Sequence, residues 1–197
     1  MAVVALAVAF AFLFGAVDQY LGSFSSLAWA TEISLLSAPW LVVPFLAGCT
    51  RPRRRDAMLV GLACTLAAIA GYGLMTLSPV QNAELTWQSA SGFLRSQAPV
   101  IVGGCATGPL FGFLGSAWRF GGWTVAAVAP AAALCLEPLA HLALDDPVTV
   151  RWVAVVEAAV GGALVVAVVA HGYLRSRRIR SREPSLSSVT RPSRSVR

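Results

Sequence analysis

Long apolar stretches alternate with short polar segments along almost the whole chain. A membrane-spanning helix needs roughly 20 mostly apolar residues. Stretches of about that length cover residues 2–20, 27–48, 58–75, 98–118, 122–144 and 152–173. The first stretch resembles a signal sequence, but it lacks a basic start and a clear small-residue cleavage site, so we interpret it as a span. The pattern predicts an all-α fold, a polytopic integral membrane bundle of six transmembrane helices formed by residues 1–174.

The positions of the arginines predict how this bundle is oriented. Arginines cluster after the second, fourth and sixth stretches, whereas the other loops hold few basic residues. The positive-inside rule then places the chain in the cell membrane with both termini in the cytoplasm. Residues 175–197, rich in Arg and Ser, form a basic cytoplasmic tail that we expect to be disordered. The long loop 76–97, which contains Trp87 and Phe93, lies outside, on the membrane surface or as a cap on the bundle.

Composition narrows the classes of function. Only 12% of the residues are charged, against about 25% in soluble domains. All 15 basic residues are Arg, which excludes mechanisms that need a lysine. The net charge of +6 comes mainly from arginines that topology explains, so no nucleic-acid partner is indicated. Neither a metal site nor a disulfide framework is expected, because there are two His and the four Cys are scattered. These are Cys49, Cys64, Cys105 and Cys135.

Carboxylates inside the apolar stretches are the strongest candidates for function. An Asp near the centre of a membrane helix costs about 2.5–3.5 kcal/mol on insertion scales, so such residues need a reason to be there. They are Asp18, Glu32, Glu137 and Glu157. From the rise of a helix, Glu137 and Glu157 lie roughly 10 Å from the outer end of their spans. His141 shares a helix face with Glu137. The alternative is that these groups hold the helices together by hydrogen bonds, or cap the ends of helices.

Aromatic and small residues add two further expectations. By depth, several aromatic residues surround the same outer region as the carboxylates. Those expected to bind a substrate are Trp40, Trp29, Tyr72 and Tyr20. Trp40 is the best candidate to line a cavity, because it lies deep in the second stretch, between Pro39 and Pro44. The glycines at 104, 108 and 112 recur every four residues, which predicts close packing of a neighbouring helix.

Four segments of the chain resemble a family of small actinobacterial membrane proteins with six helices. They are FGAVDQYLGS at 14–23, APWLVVPFLAG at 38–48, GPLFGFLGSAWR at 108–119, and the EP and VEAAVGG motifs around Glu137 and Glu157. The resemblance implies the six-helix fold and no activity. The chain is also similar in its overall design to integral membrane terpene cyclases, although no motif can be aligned. Those enzymes are small helical bundles whose membrane carboxylates protonate an isoprenoid. The chain is likewise similar to the six-helix substrate-binding components of vitamin uptake systems.

The leading hypothesis is a terpene cyclase-like enzyme, an isomerase of isoprenoid biosynthesis. Glu137 or Glu157 would protonate a hydrophobic isoprenoid or prenylated substrate, and the other carboxylate or His141 would accept the final proton. Trp40, Trp29 and Tyr72 would stabilise the carbocation. This chemistry requires no metal and no cofactor, and the chain has no DDxxD cluster that would ionise a diphosphate.

Two alternatives come from other classes of protein. In the first, the chain binds a small solute as the substrate-binding subunit of an uptake system or acts as a proton-coupled carrier, and the same carboxylates bind substrate or relay protons. The two halves of the chain show no repeat, which disfavours a secondary transporter built from inverted repeats. The second alternative is a structural or accessory membrane protein. The lipid bilayer is a partner in every case, and the sequence leaves the oligomeric state open.

Overall fold

The computed structural model describes residues 1–24, 26–143 and 150–180, and these residues form an all-α structure. In chain order the α-helices are α1 (Ala2–Gly22), α2 (Ala28–Ser34), α3 (Ala38–Gly48), α4 (Arg54–Thr76), α5 (Trp87–Ser96), α6 (Ala98–Arg119), α7 (Thr124–Ala143) and α8 (Arg151–Arg180). A short 3-10 helix, Pro79–Gln81, follows α4. Helix α8 continues to Arg180, beyond the predicted start of the tail at residue 175. Residues 181–197 of that tail lie outside the described residues.

Five helices in the described residues are long and apolar enough to cross a membrane. They are α1, α4, α6, α7 and the Arg151–Leu174 part of α8. Helices α2 and α3 meet the same criterion only as a pair, bent by 50° at the break between them. Most of the large apolar side chains on these helices, such as Phe10 and Leu13 on α1, are exposed. A surface of this kind suits hydrocarbon, so the chain is a multi-pass membrane protein with five spans, or six if the bent pair is one span.

The second predicted span is a broken helix. The sequence pattern predicts one helix over 27–48, whereas the structure interrupts it between Ser34 and Ala38. Pro39 lies in the first turn of α3, where its missing N–H costs nothing. A proline also clashes with the carbonyl group four residues earlier, here that of Leu35, so Pro39 favours a break just before α3. The continuous helix was therefore wrong, and the break exposes the backbone N–H groups at the start of α3.

Small residues allow the helices of the bundle to approach closely. Helix α4 packs between α1 and α6, α3 packs against α4 and α6, and α7 packs on α8. A Cβ atom on Gly108 would lie 2.7 Å from Thr65 Oγ1, and one on Gly112 would clash with the carbonyl oxygen of Ala57. The expectation of close packing at the glycines 104, 108 and 112 is thus confirmed, and the partner is α4.

The bundle has two distinct ends. At one end, which we call the Arg54 end, the Arg54 guanidinium lies over the rings of Phe113 and Trp123, 5.4 and 5.3 Å from their centroids. At the other, the α5 end, α5 caps the bundle. The ring of Phe93 on α5 lies so close to Gly73 of α4 that a Cβ atom on Gly73 would be 2.7 Å from it. The predicted loop 76–97 therefore contains a helix, which begins with a capping box formed by Thr86 and Ser89.

Candidate functional site

A cavity of about 290 Å³ lies near the α5 end, between α1, α3, α4, α5 and α6. The broken helix forms one of its sides, because the cavity is lined by the residues on both sides of the break. We call it the Asp18 cavity. Its lining residues are Asp18, Ser34, Leu35, Leu36, Ser37, Trp40, Leu41, Thr65, Ile69, Tyr72, Phe93, Gln97, Val100, Gly104 and Thr107. Its volume is close to the lower end of the range for small-molecule sites, about 300–1,000 Å³.

Among the described residues that line this cavity, Asp18 is the only one with a carboxylate. It shares one face of α1 with Ala11 and Gly15, which are also buried, so packing of α1 on α4 turns Asp18 inward. The side chain is 8% exposed. Trp40 is close enough to donate a hydrogen bond to its carboxyl group, whereas the Oδ2 atom is buried and makes no hydrogen bond. Asp18 thus brings to the cavity a buried carboxyl group, one oxygen of which makes no hydrogen bond within the described residues.

Aromatic rings form a continuous row beside Asp18. Phe14 lies edge-on to Trp40, with ring centroids 5.6 Å apart, and Trp40 lies edge-on to Tyr72 at 6.0 Å. Tyr72 in turn lies 6.3 Å from Phe93 of α5. The last three rings line the cavity. Each comes from a different helix, so the row exists only when the bundle and its cap are assembled.

Three hydroxyl groups of the cavity can accept hydrogen bonds from a ligand. The hydroxyl groups of Ser34, Thr65 and Thr107 donate to carbonyl oxygens of their own helices, which leaves each hydroxyl oxygen able to accept. Gln97 contributes an amide. No Arg or His is among the described residues that line the cavity. The site is therefore suited to a ligand that carries donors or positive charge.

Glu137 lies on the opposite side of α3, in a groove of about 400 Å³ that we call the Glu137 groove. Its Oε2 atom accepts a hydrogen bond of 2.8 Å from the backbone N–H of Ala38, and its Oε1 atom accepts one from the N–H of Ser37. The N-terminus of a helix attracts negative charge, so Glu137 of α7 caps α3. The groove is lined by Ser37, Ala38, Leu41, Ala133, Leu136, Glu137, Ala140 and His141.

Two other predicted residues lie close to Glu137. The Nε2 atom of His141 is 3.8 Å from Glu137 Oε1, as expected for residues one turn apart. Glu157 of α8 is 5% exposed. Its carboxyl group lies next to that of Glu137, and neither of its oxygens makes a hydrogen bond of normal geometry. Glu157 lines neither the cavity nor the groove.

The structure thus brings some of the predicted residues together and separates others. Trp40 and Tyr72 share a cavity with Asp18, whereas Glu137, Glu157 and His141 form a second cluster across α3. Glu32 is buried on α2 and lines neither site. Tyr20 and Trp29 also line neither, and both are about two-fifths exposed, at 40% and 41%.

Sequence reasoning missed two kinds of contribution to these sites. Gln97 and Thr107 line the cavity without an ionisable group to attract attention. The backbone N–H groups of Ser37 and Ala38 carry no residue-type signal at all, although Pro39 indicates that a helix can begin there. A search for proline in the first turn of a second half-helix would have found them.

Comparison with known proteins adds no further evidence. No protein-family model, curated protein or solved structure matches the chain. In the part of the chain that the structure describes, no three His, Cys, Asp or Glu residues are grouped so as to hold a metal ion.

Proposed function

We propose that the protein crosses the membrane six times, with both termini in the cytoplasm, and binds a small organic cation in the Asp18 cavity as the substrate-binding step of solute uptake. The observation that carries the proposal is the combination, in one cavity, of the buried Asp18 carboxylate with the rings of Trp40, Tyr72 and Phe93. The functional alternative derived from the sequence, a solute-binding membrane component, is the one that this geometry supports best.

The physical argument starts from the cost of burying Asp18. A charge in an apolar region needs a compensating partner, and residues of this kind in membrane helices mark binding sites or ion pathways. The described lining residues provide no positive charge, so a bound cation supplies the missing partner. Aromatic faces attract cations as well, by up to about 2 kcal/mol when the pair is desolvated. A carboxylate and aromatic rings together favour an organic cation, because its alkyl groups also fit the apolar wall.

The broken helix supports a role in solute binding. Substrate sites of membrane carriers are commonly built at discontinuous helices, where the unwound backbone lines a cavity. Here Leu35, Leu36 and Ser37, which form the break between α2 and α3, all line the Asp18 cavity. The arginine distribution predicts that the α5 end faces outside, so a ligand would reach this cavity from the outside.

Binding to the purified chain in lipid nanodiscs tests the proposal. The probes are radiolabelled choline and benzyltrimethylammonium, with 3,3-dimethylbutan-1-ol as the uncharged analogue of choline. We expect both cations to bind and the alcohol to compete poorly. Asp18→Asn should weaken choline binding by roughly 30-fold, since losing one buried charge contact of about 2 kcal/mol has that effect. Asp56→Asn is the matched control, because Asp56 is exposed on α4.

Two results would contradict this proposal. One is equal binding of choline and its uncharged analogue, which would remove the role of charge. The other is unchanged choline binding in Asp18→Asn, which would remove the role of the carboxylate.

Isoprenoid cyclisation, the leading hypothesis from the sequence, becomes the second candidate, with Asp18 as its acid in place of Glu137 or Glu157. The Asp18 oxygen that makes no hydrogen bond lies in the same cavity as three rings able to stabilise a carbocation. Glu137 is less suited to be this acid, because both of its oxygens accept backbone hydrogen bonds. In this reaction Asp18 would donate a proton to an alkene of the substrate, and the resulting carbocation would close a ring. The cyclised carbocation would then lose a proton to a base.

A cyclase leaves a signature that binding alone does not. Membranes containing the protein would be supplied with prenylated aromatic or indole substrates and their epoxides. Mass spectrometry would then detect an isomer of unchanged mass and new retention time, and Asp18→Asn should abolish it. Failure to form any isomer would count against the enzyme and leave the binding proposal standing.

A further inference from the structure

Two buried carboxyl groups adjoin each other directly behind the wall of the Asp18 cavity. Glu137 reaches from α7 and Glu157 from α8, and their carboxyl groups interact. They are 9% and 5% exposed. Both oxygens of Glu137 accept backbone hydrogen bonds, while both oxygens of Glu157 lack a hydrogen bond of normal geometry. Two backbone N–H groups stabilise a negative charge on Glu137, whereas no hydrogen-bond donor in the described residues stabilises a negative charge on Glu157.

The charged and titratable groups around the pair are few. On α7 itself, His141 lies 3.8 Å from Glu137. From α3, the backbone N–H groups of Ser37 and Ala38 face Glu137. Helix α8 carries Glu157 and, in its exposed first turn, Arg151, and α2, which contacts α8, carries the buried Glu32. The part of α6 that packs near α7 brings no acidic residue.

We propose that Glu137 and Glu157 bind one proton between them, and that this proton is coupled to ligand binding in the Asp18 cavity. The proposal rests on the function proposed above. Two adjacent carboxylates in an apolar setting cannot both be ionised at little cost, and carboxyl pairs that share a site hold a proton for this reason. The proton would lie on Glu157, whose hydroxyl then donates to Glu137, and Glu137 keeps its two backbone hydrogen bonds.

The start of α3 provides the physical link between the pair and the ligand. Ser37 and Leu41 line both the Glu137 groove and the Asp18 cavity. Trp40, which interacts with Asp18, lies on the same first turns of α3. When the proton leaves, repulsion between the two carboxylates disturbs the cap of α3, and Trp40 moves with the helix. Loss of the proton therefore weakens the site for a cation.

Infrared spectroscopy detects the shared proton without any ligand. The full-length protein in nanodiscs would be labelled with carbon-13 on the glutamate carboxyl groups, which separates their protonated carbonyl band from that of Asp18. We expect one band from a protonated glutamate that is present near neutral pH, disappears as the pH is raised, and is absent in Glu157→Gln. Glu84→Gln, a substitution on an exposed loop residue, should keep the band.

The pH profile of choline binding tests the coupling. Ionisation of Asp18 makes affinity rise with pH, and loss of the shared proton makes it fall at higher pH, by up to roughly tenfold per pH unit for one proton. The wild-type profile should therefore be bell-shaped. Glu157→Gln, which imitates the protonated group, should retain the rising limb and lose the falling limb.

The outcomes separate this inference from the function on which it rests. Absence of the labelled glutamate band in the wild-type protein overturns the shared proton, even if Glu157→Gln fails to fold. A falling limb that persists in Glu157→Gln overturns the coupling, as does a profile that responds to sodium concentration instead of pH. Failure of choline to bind at any pH contradicts the proposed function and leaves the infrared result to decide on the proton.

Discussion

At the scale of single residues, three buried carboxyl groups of similar chemistry have different surroundings. Asp18 lines a cavity with aromatic walls, Glu137 caps a helix, and the carboxyl group of Glu157 adjoins that of Glu137. Their residue types alone do not distinguish these roles. The difference arises because α1 and α7 bring their carboxylates to two different pockets beside the start of α3, so what each carboxylate can do depends on the broken helix.

Trp40 should be more important for binding than the other predicted aromatic residue on the broken helix. It lines the cavity beside Asp18, whereas Trp29 is 41% exposed and lines neither site. Replacing Trp40 with Leu removes a desolvated cation–π contact of about 2 kcal/mol. We expect choline affinity to fall by roughly 30-fold, with most of it restored in Trp40→Phe. Trp29→Leu, assayed by the same radioligand binding, should be unchanged. An equal loss in both variants would show that general packing is responsible.

Glu137 should matter for stability whatever ligand the cavity binds. In Glu137→Gln the amide group can accept through only one oxygen, so one backbone N–H at the start of α3 is left unpaired in a buried region. Such a group costs about 1–3 kcal/mol. Reversible unfolding in mixed detergent micelles should show a loss of stability of that size. Glu84→Gln, on an exposed residue, should show none. A Glu137→Gln protein as stable as the wild type would contradict the capping role.

At the scale of helices, contact between backbones holds the bundle together. On α6, a Cβ atom on Gly112 would clash with a backbone carbonyl of α4, whereas one on Gly103 would meet nothing within 4 Å. The two glycines thus provide a matched pair on one helix. Overpacking costs about 1–3 kcal/mol, so Gly112→Ala should destabilise the protein by at least that amount. Gly103→Ala should stabilise it slightly, since Ala favours helix over Gly by about 0.5–1 kcal/mol. Thermal unfolding of both variants checks the contrast.

The same elements indicate how far the sequence could predict the structure. Apolar length placed the five helices long enough to span, and the spacing of the glycines predicted a closely packed neighbour for α6, because both signals depend only on local sequence. That this neighbour is α4 could not be predicted from the glycines. The break before Pro39 was indicated locally as well, but hydrophobicity alone favoured one continuous helix. The separation of Asp18 from Glu137 depends on which helix faces meet across α3. That arrangement is a property of the packed bundle, and no single segment encodes it.

At the scale of the whole molecule, the two ends of the bundle correspond to the two sides of the membrane that the arginine distribution predicts. Arg54 and the C-terminal half of α6 meet at one end, where the positive-inside rule expects the cytoplasm. The cavity and α5 lie at the other end. If α2 and α3 form one bent span, residue 50 and α5 lie on opposite sides of the membrane. If the whole bundle were inverted, both would change sides together with the ends of α1.

Single cysteines distinguish these two orientations of the bundle in intact cells. With the four native cysteines replaced by Ala, Gln88→Cys on α5 and Thr50→Cys after α3 each provide one exposed thiol. We expect a membrane-impermeant maleimide to label residue 88 in intact cells, and to label residue 50 only after the membrane is permeabilised. The reverse pattern would indicate that the whole bundle is inverted, with the Arg54 end outside. In that case the Asp18 cavity would open to the cytoplasm, and a cation would reach Asp18 from within the cell.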